Sequence, residues 1–289
     1  MRFIVFGKQR LGLVQAEVVI DITDLVPGAA TEAGPLHRFI ESPLPLSTSQ
    51  LRGLPRYSVH EVIPMAPLPQ PGKVVGAPVN YLDHKVEMSE TLTIAELGVF
   101  LKASSSVIGP GENVVLPYSD VRTDHEGELA VVIGRTARDV SAERALEHVF
   151  GYTCGLDMTI RSSEDRSTRK SFDTFTPLGP CVVTVDEITD PGDLELRTRV
   201  NGSTRQSVNT RDLIFGVPAL VSYVSSVMTL WPGDVILTGT PAGVGPVHDG
   251  DIVEVEISGI GTLAVGVSEE FSVLYMQRPG RAPGILNPT

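Results

Sequence analysis

Cysteine is nearly absent. Cys154 and Cys181 are the only two in 289 residues, and no Cys-x-x-Cys spacing occurs, so a disulfide-built scaffold is excluded. Basic side chains are also scarce, 23 against 35 acidic ones, which gives a formal net charge of −12. That deficit excludes a nucleic-acid binder that works by neutralising phosphates, and no basic patch marks a membrane partner. No apolar run approaches the roughly 18–20 residues that a membrane helix needs. The first twenty residues contain Arg2, Lys8, Arg10 and Glu17 and no small-residue cleavage site after an apolar core, so no signal peptide is expected. Hydrophobic residues at 42% and charged residues at 20% are ordinary for a globular chain and exclude disorder. These absences leave a soluble cytoplasmic enzyme as the default class.

Glycine and proline, by contrast, are plentiful at 28 and 22 residues. Together they exceed the usual share of about 12%, which argues for tight turns and short strands. Residues 1–65 read as a small β unit. Alternation in Arg2–Phe6, Leu11–Val14 and Glu17–Ile22 predicts short antiparallel strands with turns at Gly7 and Gly12. A Pro- and Ser-rich stretch over 41–72 predicts an extended connector. The main body is expected over 66–278, its first buried strand starting at Lys73, and 279–289 is expected to be a loosely held tail. Within the body, 129–133, 195–200, 235–238, 252–257 and 263–267 read as strands, and Asn201-Gly202 is a hairpin signal. Two helices are predicted, one over 142–150 capped by Ser141 and stopped by Gly151, the other over 217–228 with Pro218 in its first turn. The pattern is predominantly β with a few helices (α+β). No βαβ alternation supports a dinucleotide-binding sheet.

Asp124-His125-Glu126-Gly127-Glu128 precedes the apolar run at 129–133. Strand alternation puts Glu126 and Glu128 on one face, about 6.6–7 Å apart along the chain. Two carboxylates beside a buried strand need a cation or a basic partner, and an all-oxygen set suits Mg²⁺, Mn²⁺ or Ca²⁺. The same pair also fits a solvated acidic strand end. Asp157, isolated at the end of the apolar segment 151–157, favours the cation. His84 and Glu87 sit at i and i+3 in Asn80–Glu87. On a helical turn they form a carboxylate-oriented imidazole, competent as a general base near neutral pH, or a plain surface pair. Lys170 stands before a proline-ended apolar turn, and the loop Thr238–Gly245 offers backbone N–H groups to an anion or a carboxylate.

In collinear order, Asn80-Tyr-x-x-His84-x-x-Glu87, Phe100-Leu-Lys102, Glu126-x-Glu128-Leu-Ala-Val-Val-Ile-Gly134, Gly151-Tyr-Thr-x-x-x-Asp157-x-Thr159, Lys170-Ser-Phe-Asp173 and Leu237-Thr-Gly-Thr240-Pro-Ala-Gly-Val-Gly245 resemble the fumarylacetoacetate hydrolase family over about 73–270. The resemblance implies a mixed β-roll core after a small N-terminal β unit, usually as a homodimer. It implies Mg²⁺ or Mn²⁺ held by Glu126, Glu128 and Asp157, a catalytic dyad of His84 and Glu87, and a mobile lid over about 88–98. It places Lys170, Arg161, Thr240 and the loop from Gly239 at a small 2-oxo acid or β-dicarbonyl substrate. Two positions depart from the family's pattern after Asp157. Ser162 replaces a carboxylate, and Glu164 stands where an amide commonly binds the ligand, so an ionised Glu164 is expected to repel an anionic substrate group. The chemistry implied is metal-dependent hydrolysis of a C–C bond in an acylpyruvate-like 2,4-dioxo acid. Decarboxylation or isomerisation of a related 2-oxo acid uses the same enolate, and a repurposed scaffold that binds without hydrolysing is the reading from outside enzymology.

Overall fold

The computed structural model describes residues 1–29 and 31–279. The expected tail lies outside the described residues apart from Pro279. Strands organise the chain into three sheets among the described residues. The largest has twelve strands, and toward one edge it runs Arg2–Phe6, Thr176–Thr184, Val149–Leu156, Gly127–Ile133, Val235–Leu237, Val74–Gly76, Phe100–Lys102. A five-stranded sheet built on Glu195–Val200 and Ile252–Ile257 packs against it, and three short strands close one end. Most pairs are antiparallel, but Val235–Leu237 with Val74–Gly76, Gly261–Ser268 with Asn113–Val115 and Thr176–Thr184 with Val107–Ile108 are parallel. The fold is the expected mixed, predominantly β core. No helix among the described residues is long and apolar enough to cross a membrane.

Gly127–Ile133 is buried at every position. Its alternation feeds two cores: Leu129, Val131 and Ile133 join one hydrophobic cluster, Ala130 and Val132 the other. A strand covered on both faces needs apolar residues at every step, which accounts for the unbroken run. The helix Val217–Val227 buries Val217, Leu220, Val221 and Val224 on one side, with Pro218 in the first turn where its missing N–H costs nothing.

Several local expectations are corrected. Gly12 is not a turn but the middle of strand Arg10–Gln15, where a Cβ would strike Val19; close packing, not φ, requires glycine there. The segment after Ser141 is a 3₁₀ helix, Ala142–His148, and Gly151 belongs to the next strand rather than to a helix stop. Part of the expected connector is strand: Arg56–Ser58 and Pro64–Met65 pair with N-terminal strands. Three further short helices, Pro35–Glu41, Ile94–Leu97 and Arg166–Arg169, lack the periodicity that announces longer ones. Strand Arg2–Phe6 itself pairs with Thr176–Thr184, so the N-terminal strands continue the sheet of the body.

Candidate active site

Strand register assembles one end of the large sheet. Gly127–Ile133 runs antiparallel to Val149–Leu156 with Gly127 opposite Leu156, so the residue after the second strand, Asp157, arrives beside the start of the first. Its N–H donates to the Glu126 carbonyl at 2.8 Å. On the other side Leu237 lies opposite Ala130, and the chain beyond it runs past Glu128. There the Gly239 N–H donates to Glu128 Oε2 at 2.5 Å and the Thr240 hydroxyl to the Gly127 carbonyl at 2.9 Å. The parallel neighbour Val74–Gly76 leads from the same end into Asn80 and the helix Leu82–Glu87. The Asn80 amide binds the carbonyls of Thr238 and Phe215 at 2.8 and 2.9 Å and so locks this helix to the loop.

Carboxylate oxygens of Glu126, Glu128 and Asp157 all lie within 4.8 Å of one another, and all three residues are buried. Lys170 Nζ donates to Glu126 at 2.7 Å and to Asp157 and Thr159 at 2.5 Å. Lys102 Nζ donates to the other Asp157 oxygen at 2.5 Å and to the Phe175 carbonyl at 2.9 Å. Arg161 bridges Glu126 at 2.8 Å and Asp124 at 2.7 Å, and Arg122 also pairs with Asp124. Burial works against the charge of Glu126, but Lys170 and Arg161 outweigh it and push its pKa down to about 2. Burial also opposes the charge of Lys170, yet Asp157 and Glu126 hold its pKa above the usual lysine value. For Lys102 burial prevails over Asp157 and the pKa falls. Glu128 stands apart. Burial, then Asp157 and Glu126, push its carboxyl well above the usual range, against the opposing pull of Lys170 and the Gly239 amide. Three converging oxygens, one of them without its own ion pair among the described residues, are the donor set of a hard divalent cation.

His84 is buried, and its Nδ1 lies 3.0 Å from Glu87 Oε2. A carboxylate at Nδ1 selects the tautomer protonated there and leaves Nε2 as the basic nitrogen. Glu87 Oε1 in turn accepts from the Gly243 N–H at 3.0 Å. Thus two amides of the glycine-rich loop bind the protein's own carboxylates, Glu128 and Glu87. Gly239 has φ +97° and a Cβ there would approach the Asn80 Cβ to 2.6 Å, so glycine is required.

Around these groups is a cavity of about 170 Å³ lined by His84, Met88, Glu90, Phe100, the three carboxylates, Arg161, Arg166, Arg169, Lys170 and Thr240. The volume is below the roughly 300 Å³ of drug-sized sites, and its walls are mostly polar and charged, which suits a small acid. The structure therefore gathers His84, Lys170, Arg161, Thr240 and the metal-type carboxylates around one space, with Glu87 and Gly239 just behind. Glu164 is not among the lining residues. It accepts from the Tyr275 hydroxyl at 2.5 Å and from Arg278 at 2.7 Å, partners 111 and 114 residues away that no local pattern announces. Met88 and Glu90, in the stretch expected to be a lid, reach the cavity; the segment includes the capped turn Ile94–Leu97.

Sequence reasoning missed four contributors. The role of Lys102 as partner of Asp157 has no local signal, although its Phe-Leu-Lys segment does. Gln206 is a lone amide on a hairpin strand; it donates to Thr240 Oγ1 at 2.7 Å and accepts from the Gly127 N–H at 3.0 Å. Arg166 and Arg169 belong to no motif, and both line the cavity.

Residues 73–268 match the family described as fumarylacetoacetate (FAA) hydrolase C-terminal. The maleylpyruvate hydrolase of Aquipseudomonas alcaligenes is 43% identical over 288 residues, 92% of this chain and 99% of that one. A solved structure of maleylpyruvate hydrolase from Sphingobium sp. SYK-6, in complex with manganese(II) ion and pyruvate, superposes with a TM-score of 0.81 at 39% identity, covering 93% of this chain and 99% of that chain. The structure of 2-hydroxyhepta-2,4-diene-1,7-dioate isomerase from Mycobacterium marinum gives a TM-score of 0.75 at 35% identity, covering 93% of this chain and 98% of that chain.

Proposed function

The chain belongs to the fumarylacetoacetate hydrolase family, and we propose that it hydrolyses a carbon–carbon bond in a small acylpyruvate-like 2,4-dioxo acid, with Mg²⁺ or Mn²⁺ held by Glu126, Glu128 and Asp157. The observation that carries this reading is the juxtaposition, around one small cavity, of three buried carboxylates within 4.8 Å and the His84–Glu87 pair. The similarity to two maleylpyruvate hydrolases, one solved with manganese and pyruvate, supports it.

A divalent ion in such a site supplies a Lewis acid for negative charge that develops on the 2-oxo and carboxylate oxygens of the substrate. The protein's own groups do the rest. His84 Nε2 removes a proton from water as the oxygen adds to the C4 carbonyl, while Glu87 stabilises the imidazolium through Nδ1. The C3–C4 bond then breaks, its electron pair forming the enolate of pyruvate, and the acyl part leaves as a carboxylic acid. Protonation of the enolate at C3 completes pyruvate. Lys170 offsets negative charge beside Glu126 and Asp157, and Arg161 fixes Glu126 from the side opposite Lys170.

The purified protein with Mn²⁺ should release pyruvate from an acylpyruvate, as read by a coupled lactate dehydrogenase assay, and chelation should stop it. His84→Ala should lower kcat by about 10²- to 10⁴-fold, the range for a positioned base. Pyruvate release by that variant at the wild-type rate would overturn the assignment. The likeness to an isomerase structure supports a second reading, isomerisation of an unsaturated 2-oxo acid; the same incubation would then convert substrate without pyruvate release. Decarboxylation of an oxaloacetate-like acid is distinguished by release of carbon dioxide. The reading carries with it a homodimer in the cytoplasm, which light scattering on the purified protein and fractionation of cells will test.

A further inference from the structure

The hairpin of strands Glu195–Val200 and Ser203–Asn209 lies in the five-stranded sheet and supplies none of the residues that line the cavity. Its inward face is apolar at Leu196 and Val200. Between them Thr198 is buried as well, and Gln206, directly opposite Thr198, is the one buried residue of its strand. An amide taken out of water is costly unless its donors and its acceptor are met. Each of them is met by the site. Nε2 donates to Thr240 Oγ1 at 2.7 Å and to the Pro241 carbonyl at 2.8 Å, and Oε1 accepts from the Gly127 N–H at 3.0 Å. A carbonyl only accepts and a backbone N–H only donates, so the amide has a single orientation. The Thr240 hydroxyl receives a proton from Gln206 and gives its own to the Gly127 carbonyl at 2.9 Å.

Gly127 is the residue between Glu126 and Glu128. Its N–H is held by Gln206 and its carbonyl by Thr240, so the peptide groups on both sides of it are fixed by one network. A Cβ on Gly127 would strike the Thr198 hydroxyl and crowd the Gln206 amide, and glycine is what lets the hairpin come so close. A Cβ on Gly243, whose N–H holds Glu87, would strike the Arg205 carbonyl in the same way. We propose that Gln206 is a positioning residue for the carboxylate pair. By clamping the Gly127 peptide to Thr240 and Pro241, it sets the direction in which Glu126 and Glu128 reach an ion. It also ties that direction to the loop whose amides orient Glu128 and Glu87. The consequence for metal binding rests on the metal site assigned above; the network itself does not.

Gln206→Met keeps the length of the side chain and removes its hydrogen bonds. With metal removed by chelation, amide exchange read by mass spectrometry should quicken over 124–130 and 238–245 together, while 252–257, beyond the other strand of the hairpin, keeps its protection. Mn²⁺ affinity by calorimetry should fall about 10- to 100-fold, the range for losing a group that orients metal ligands. The electron paramagnetic resonance lines of bound Mn²⁺ should change as the ligand directions relax, and at saturating Mn²⁺ kcat for pyruvate release should fall with KM little altered. Gln206→Glu is the second variant. Its carboxylate still accepts from the Gly127 N–H but has nothing to donate to Thr240 or Pro241, so protection should return over 124–130 and not over 238–245. A Gln206→Met protein that is merely less heat-stable, with wild-type Mn²⁺ affinity and wild-type exchange over 124–130, would reduce Gln206 to packing and overturn the proposal. A wild type whose Mn²⁺ affinity depends on Gln206, yet which releases no pyruvate, would uphold the positioning role and overturn the reaction assigned above.

Discussion

Replacing Glu128 by Gln is expected to separate the two states of the carboxylate cluster. Asp157 and Glu126 are met by Lys102, Lys170 and Arg161, whereas Glu128 is met by one amide N–H. An ionised Glu128 within 4.8 Å of a second carboxylate would suffer a repulsion of about 3 kcal/mol at an effective dielectric of about 20. Burial and the neighbouring carboxylates thus favour the protonated carboxyl, the form that Gln imitates. Metal-free Glu128→Gln should match the wild type to within about 1 kcal/mol at neutral pH. The pH dependence has a definite sign. A carboxyl whose folded pKa is raised contributes stability that is present below the ordinary value of 4.5 and is lost as pH rises through the folded pKa. Thermal stability of the metal-free wild type should thus decline on the alkaline side, and that of the variant should not. Mn²⁺ at about a hundred times its Kd adds about 2.7 kcal/mol, which is worth about 5–10 °C at 2–4 °C per kcal/mol. Because metal binding requires the ionised carboxylate and the Glu128 pKa is raised, the rise should grow as pH increases. The variant should lose it. Differential scanning fluorimetry with and without Mn²⁺ measures each quantity. A Glu128→Gln protein that keeps the full Mn²⁺ response would refute the reasoning.

Lys102→Met removes a buried charge from Asp157 and the Phe175 carbonyl, and should cost about 3–5 kcal/mol in denaturant unfolding; adding Asp157→Asn should return part of that, and strict additivity of the two would show that they do not interact. Glu164→Ala should loosen the chain around Tyr275 and Arg278 by about 1–3 kcal/mol, seen as faster amide exchange over 272–279. Hydrogen bonds and Arg278 outweigh the effect of burial on Glu164 and push its carboxyl down to about 2, so its contribution is complete above 4.5 and lost as pH falls from there toward 2; oxalate affinity should not change, and a gain on substitution would place the residue in the cavity. Gly239→Ala forces a Cβ against Asn80 at a positive φ. It should cost about 1–3 kcal/mol and weaken Mn²⁺ binding, because the amide that holds Glu128 must move; unchanged calorimetric affinity would count against that coupling.

The carboxylate pair was legible because strand alternation is local: two residues apart is one face wherever the strand lies. His84 and Glu87 were legible for the helical version of the same reason. Asp157 was visible as an acid in apolar company, while its approach to Glu126 follows from an antiparallel register that only the assembled sheet fixes. Local patterns are silent about partners far along the chain, so Lys102, Gln206 and the true neighbours of Glu164 could not be read. Gly12 was misjudged because a glycine required by packing carries the same letter as one required by a turn. The segment 142–148 follows 3₁₀ geometry because its face is short, with Ala145 its one buried residue.

The ammonium of Lys170, lodged between Glu126 and Asp157, has a consequence for how the protein matures. Metal centres whose ligands repel one another without the ion fold only around it. Here two lysines and an arginine act as resident counter-ions, so the chain can complete its sheet first and be loaded afterwards. Folding is then expected to precede metallation, and the divalent ion in the centre to follow the supply around a finished protein rather than the act of folding.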